Sequence, residues 1–203
     1  MKILKILLAA ILFWPVVSFS QGIPDKENDY LITINTDKGE IKMVLYDETP
    51  IHKMNFVELA KAGVYDHLSF HRVIDGFMIQ TGDPETRNKP VDYDPSVIQK
   101  TLPAEIRPGL KHVYGAVGAA RRDNPQKLSN GSQFFIVENP KGAPHLDGEY
   151  TVFGRVLSGL RVVHEIAATP TDKSDTPKKD IRMTVEVDTV KRSTIEKFYH
   201  YSY

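Results

Sequence analysis

The run "SFHRVIDGFMIQTGD", residues 69–83, decides the fold. Read as a strand it places Phe70, Arg72 and Ile74 on one face, because strand side chains alternate with period two. Two of the three are large and apolar, and the third carries a permanent charge. The stretch is therefore β-like, and Arg72 stands where a core residue is expected. Either the arginine caps a carbonyl or pairs with an acid, or that face turns towards a site.

The segments around it are also strand-like. "YLITINT" (30–36) and "EIKMVLY" (40–46) are joined by "DKG", a hairpin turn signal. Further strands are predicted at 68–74, 77–80, 113–118, 133–137, 151–157 and 181–190, where Ile181, Met183, Val185 and Val187 alternate with polar neighbours. "TPIHKMNFVELAKAG" (49–63) reads as a helix, with Thr49 as cap, Pro50 at the first helical position and Gly63 at the end. A second helix, 158–168, begins at Ser158 and stops before Pro170. Residues 84–110 are proline-rich and poor in apolar side chains, which predicts an excursion over the surface. The aromatic tail "STIEKFYHYSY" (193–203) shows no period. Many strands, two helices and no regular alternation between them argue for an antiparallel barrel or sandwich rather than a doubly wound sheet.

Composition narrows the class. The chain has 203 residues, 41% hydrophobic and 26% charged, with 26 basic and 26 acidic side chains and no cysteine. That suits one globular domain and gives no basic footprint for nucleic acid. "MKILKILLAAILFWPVVSFS" (1–20) has two lysines, an apolar run and a small-residue end, the layout of a secretory signal peptide cleaved before Gln21. An uncleaved anchor is the rival, but the run is short for a span and broken by Pro15. The expected organisation is a signal peptide at 1–20, a polar tether at 21–29, a domain at 30–192 and a tail at 193–203. Without cysteine, the exported domain must be stable through its core alone.

Several chemistries fall away. His67 and His71 are four apart, but on a strand that separates them by about 13 Å, too far to share a metal. "NGSQF" (130–134) lacks the glycine-serine-glycine elbow of a hydrolase, and "GAVGAA" (115–120) lacks a phosphate-binding pattern. Arg72 and Gln80 remain, close to Phe77 and Met78, with Phe134, Phe135, His145, Leu146 and Tyr150 supplied by two later clusters.

"FHRVIDGFMIQTGDP" (70–84), "NGSQFFIV" (130–137) and "LDGEYTVFGRV" (146–156) resemble the signature segments of the cyclophilins, peptidyl-prolyl cis–trans isomerases, in the family's order and near its spacing. The resemblance covers approximately residues 31–190. It implies a closed eight-stranded antiparallel β-barrel with two capping helices. It implies Arg72 and Gln80 as catalytic residues, with Arg72 the donor to the prolyl nitrogen and Gln80 holding the substrate backbone and orienting Arg72. Phe77, Met78, Phe135 and Leu146 would line the proline pocket, with Ala120, Arg121, His145 and Tyr150 as further substrate-binding positions. No metal or other cofactor is implied.

Three departures stand out. His145 occupies a place where many cyclophilins have tryptophan, which implies weak cyclosporin binding. Tyr150 replaces a rim histidine. "ETRNKPVDYDPSVIQK" (85–100) replaces a glycine-rich loop and leaves that side of the groove open to question. The reading that follows is an exported bacterial prolyl isomerase, periplasmic or secreted. It would act as a monomer on proline-containing polypeptides, without nucleic acid and without stable membrane insertion once the signal is removed. The rival is a cyclophilin barrel that binds proline-containing segments without turnover, a role that has no need of the arginine.

Overall fold

The computed structural model describes residues 26–203; the expected signal peptide and most of the tether lie outside the described residues. No helix among the described residues is long and apolar enough to cross a membrane.

The chain opens with a hairpin of β1 (Asn28–Thr36) and β2 (Gly39–Leu45), in which Ile32 faces Met43 and Ile34 faces Ile41. The last strand, β11 (Arg182–Lys191), pairs antiparallel with β1 along its whole length, placing Val185 opposite Ile34 and Val187 opposite Ile32. Between these come β3 (Leu68–Ser69), β4 (Arg72–Ile74), β5 (Met78–Thr81), β7 (Ala116–Ala119), β9 (Phe134–Val137) and β10 (Val152–Ser158). They join one nine-stranded sheet in the order β3-β11-β1-β2-β10-β7-β9-β5-β4. Two short strands, β6 (Thr101–Leu102) and β8 (Ser129–Asn130), pair with each other.

The fold is mainly β, as expected, but its hydrogen-bonded order is that of a curled open sheet with nine strands rather than a closed barrel of eight. The cause lies in the opening stretch. The predicted strand 68–74 is broken at Phe70 and His71, so its first half pairs with β11 and its second half with β5. The break also resets the alternation. Phe70 and Val73 both enter the core, while Arg72 and Ile74 face the other way. Arg72 thus shares a face with Ile74 but not with Phe70.

α1 (Pro50–Lys61) and α2 (Leu160–Ala167) pack Phe56, Val57, Leu59, Val162, Val163 and Ile166 into the inner core with the strands. Thr49 does not cap α1 with its side chain. The Glu105 carboxylate does so from across the chain, accepting from the Ile51 N–H at 3.1 Å and the His52 N–H at 2.9 Å. Gly63 (φ +71°) ends the helix as expected. α2 begins at Leu160 after Gly159, not at Ser158.

Both ends of the chain depart from expectation. Asp29, assigned to the tether, lies in β1 and is fully buried, with its carboxylate 2.6 Å from the equally buried Lys53 ammonium. The tail forms α3 (Arg192–Tyr199), held by buried Ile195 and by an Arg192–Asp47 ion pair at 2.6 Å. The 84–110 excursion is mostly proline-rich loop, with two single 3-10 turns and the short strand β6. Arg87 ties it down by donating to the Val64 and Asp66 carbonyls.

Candidate active site

An antiparallel sheet usually keeps one face for the core and leaves the other to solvent. Here a second apolar cluster covers part of the outer face. Met78, Ala116, Ala120, Phe135, Val137 and Val152 are buried in it, with Ile74, Phe77, Leu146 and Tyr150 packed alongside. Strand register explains how. Arg72 lies opposite Gln80, Gln80 opposite Phe135, Phe135 opposite Gly118 and Gly118 opposite Val152, so one row crosses five adjacent strands. Two residues along, Ile74, Met78 and Val137 form a parallel row. Directly opposed residues share a face, so charge, amide and aromatic ring rise side by side.

These rows form an open pocket of about 120 Å³ lined by Arg72, Phe77, Met78, Gln80, Ala120, Arg121, Phe135, Leu146 and Tyr150. Nine of the ten residues singled out in the sequence therefore meet at one place. The tenth, His145, stands outside the lining and is exposed, its ring 5.5 Å from that of Phe77.

Gly118 sets the depth of the pocket. A Cβ there would lie 2.3 Å from the Phe135 ring, so only glycine lets the phenyl group lie flat against the strand. His112 supports the same ring from behind, stacked at 5.9 Å and 10°. Its Nδ1 and backbone N–H both meet Asp147 Oδ1 at 2.9 Å. Burial pushes the His112 pKa below its usual value, against the pull of Asp147 in the other direction.

Arg72 is about half exposed, and its Nε stands 3.5 Å from an Asp175 carboxylate oxygen. Asp175 also accepts from the Val73 N–H at 2.9 Å through its backbone carbonyl. The expected brace between Gln80 and Arg72 is not among the described hydrogen bonds. Gln80 instead donates to Gln133 Oε1 at 3.1 Å, and Gln133 donates to Asp83 at 3.0 Å. The reason is directional: the Gln80 amide turns towards the β9 side, while Arg72 leans towards the loop before β11.

The "NGSQFF" motif now reads residue by residue. Asn130 Oδ1 accepts from the Ser132 and Gln133 backbone N–H groups and fixes the turn into β9. Gly131 lets the backbone of Gln99 pass, since a Cβ there would meet the Gln99 carbonyl at 1.6 Å. Gln133 braces Gln80, Phe134 enters the core and Phe135 forms the pocket. Glu85, Ile98, Gln99 and Lys100 of the 85–100 segment line a separate cleft beside Gln133, and none of the segment's residues lines the pocket itself. Sequence reasoning missed Gln133, Gly118, Asp175, His112 and Asp147. For Gln133 the signal was its adjacency to Phe134 and Phe135; the others depend on contacts distant in sequence.

One group with metal-ligand chemistry occurs among the described residues: Asp75, Glu138 and His164, with ligand atoms within 4.8 Å of one another. Both Glu138 oxygens are already engaged, with His164 Nδ1 and the Gly76 N–H, each at 2.8 Å. The group therefore serves to anchor the turn that carries Phe77. The Glu138 hydrogen bond raises the His164 pKa.

Comparison with known proteins agrees with this geometry. The description "Cyclophilin type peptidyl-prolyl cis-trans isomerase/CLD" matches residues 31–187. The chain is 37% identical over 153 residues to peptidyl-prolyl cis-trans isomerase-like 1 of Aspergillus fumigatus, covering 75% of this chain and 91% of that one. It is 42% identical over 151 residues, 74% of its length, to the longer peptidyl-prolyl cis-trans isomerase-like 2 of Rhizopus delemar, of which it spans 27%. A crystal structure of a Cryptosporidium parvum cyclophilin type peptidyl-prolyl cis-trans isomerase, in the presence of the dipeptide Ala-Pro, superposes with a TM-score of 0.68 at 31% identity, over 78% of this chain and 98% of that one. The chain belongs to the cyclophilin-type peptidyl-prolyl cis-trans isomerase family. These three relatives are all eukaryotic.

Proposed function

We propose that this protein catalyses rotation about X-Pro peptide bonds, with Arg72 as the group that stabilises the transition state. The observation that carries the reading is the placement of a half-exposed guanidinium beside an apolar pocket walled by Phe77, Met78, Phe135 and Leu146. The solved relative with Ala-Pro supports proline-containing polypeptides as the substrate class.

Resonance gives the prolyl C–N bond a rotational barrier of about 18–20 kcal/mol. As the bond twists, the nitrogen loses its share of that resonance, becomes pyramidal and gains a lone pair. A donor aimed at this nitrogen binds the twisted state better than either planar one, which is the condition for catalysis. Arginine stays charged and presents a rigid fork of donors. The pocket grips the proline ring while the rest of the chain turns. Gln80, held by Gln133, holds the substrate backbone. No bond other than hydrogen bonds is made or broken, so the step requires no cofactor.

We further propose that the protein is exported and assists folding outside the cytoplasm as a monomer. The lysine–apolar–small layout of residues 1–20 supports export. N-terminal sequencing of the mature protein tests it: a start at Gln21 supports cleavage, and a start at Met1 opposes it. Cis–trans exchange measured by NMR on an Ala-Pro peptide tests the activity, with catalysed exchange expected at substoichiometric protein.

A further inference from the structure

Arg121 lines the pocket, yet its charge is committed elsewhere. Its side chain is only 9% exposed. Its Nε donates to the Glu149 carbonyl at 3.0 Å, and one terminal nitrogen lies 3.3 Å from a Glu149 carboxylate oxygen. The other terminal nitrogen reaches the Arg122 carbonyl at 3.4 Å and Asp123 at 3.3 Å. The guanidinium lies over the Tyr150 ring at 4.7 Å, so it also backs the pocket wall. The second Glu149 carboxylate oxygen accepts from the Lys127 ammonium at 2.9 Å, and Lys127 donates in addition to the Gly148 carbonyl. One carboxylate thus stands between two cations at the rim. The remaining acid, Asp123, is fully exposed and well solvated. The Lys127 hydrogen bond, followed by the nearby charges of Lys127 and Arg121, holds the Glu149 carboxyl below its usual pKa, so it is ionised at neutral pH.

We infer that Glu149 is a specificity-determining residue: together with Asp123 it offsets the charges of Arg121 and Lys127 beside the pocket, and so keeps the choice among X-Pro substrates indifferent to the charge on the residues flanking proline. The inference rests on the isomerase reading above. Glu149 does not touch the proline pocket itself; it acts through the two cations it holds.

The test compares Glu-Pro and Lys-Pro peptides, each normalised to Ala-Pro, by exchange NMR at low salt. The wild type is expected to treat the two alike. Glu149→Gln keeps the shape and loses the charge, and should shift the ratio towards Glu-Pro by about fivefold, the size of one charge contact at about 4 Å in bulk water. That shift should collapse in 0.5 M salt, where the screening length falls to a few ångströms (~4 Å). Glu149→Asp keeps the charge and should stay near the wild-type ratio. Lys127→Gln removes one cation and should shift the ratio towards Lys-Pro. An unchanged ratio in both Glu149→Gln and Lys127→Gln would overturn the inference, as would a shift that salt does not remove. Wild-type protein inactive on all three peptides would instead overturn the isomerase reading.

Discussion

Gln80 and Gln133 are joined side chain to side chain at 3.1 Å, and that bond links the two signature segments of the pocket. Gln133 is bonded in turn to Asp83, so the Gln80 amide that lines the pocket is oriented by a short polar chain rather than by Arg72. Gln133→Ala should leave Gln80 free to rotate. A lost hydrogen bond of about 0.5–1.5 kcal/mol corresponds to roughly a two- to tenfold drop in kcat/KM. Exchange NMR measures it, and the pocket's intrinsic affinity for Ala-Pro should change less than the rate.

Gly118→Ala should damage the pocket from beneath. The added methyl group meets the Phe135 ring at 2.3 Å, so the ring must lift or the strands must part. Overpacking of this kind costs about 1–3 kcal/mol. Urea unfolding reports that loss, and a raised KM for Ala-Pro peptides reports the displaced ring.

Lys53 and Asp29 form a buried pair at the start of the sheet, with Asp47 as a second partner at 2.6 Å. Lys53→Met should strand the Asp29 charge in the interior and destabilise the fold by about 3–5 kcal/mol. The double variant Lys53→Met with Asp29→Asn should recover a large part of that loss in the same urea titration.

The buried His52 and His112 and the partly buried His71 make stability sensitive to acid. His52, His71 and His112 all have pKa values lowered by burial, the largest cause in each case. A lowered folded pKa means the native state favours the neutral ring. The stability this gives is complete above the unfolded value near 6.5 and is lost as pH falls from there through the folded values. His164 has the opposite sign: its pKa is raised by Glu138, and its contribution is complete below about 6.5 and fades as pH rises through the folded value. His164 is exposed, so its effect is screened and the other three dominate. The melting temperature should therefore fall between pH 7 and pH 5. His112→Asn should make that slope shallower.

How much of this was legible in the sequence depended on distance along the chain. Alternation in 30–46 and 181–190 is a local pattern, and the register of β1, β2 and β11 follows it. The break at Phe70 and His71 is not local. It arises because Leu68–Ser69 and Arg72–Ile74 are claimed by different neighbours, and no turn residue marks the point. α3 escaped because it is only eight residues long, and its single stripe of Ile195, Phe198 and Tyr199 does not stand out from the aromatic residues that follow it. The helix cap from Glu105 escaped because it lies 54 residues from Ile51. In the site, the residues carried by the motifs converge on one pocket, whereas Gln133, Gly118 and Asp175 gain their roles only from what the fold sets against them.

In the proposed mechanism Arg72 acts on the twisted bond and not on substrate binding. Arg72 is half exposed and its pairing with Asp175 is a surface contact, so Arg72→Ala and Arg72→Lys should fold with near wild-type melting temperatures. The most direct measurement is kcat and KM for an Ala-Pro peptide by exchange NMR for the wild type and both variants. Loss of a donor made only in the transition state should lower kcat by about 10²–10³-fold in Arg72→Ala, with KM little changed. Arg72→Lys should fall between, because a single ammonium does not reproduce the fork. A folded Arg72→Ala protein with kcat within about twofold of wild type, or with its whole loss in KM, would contradict the account.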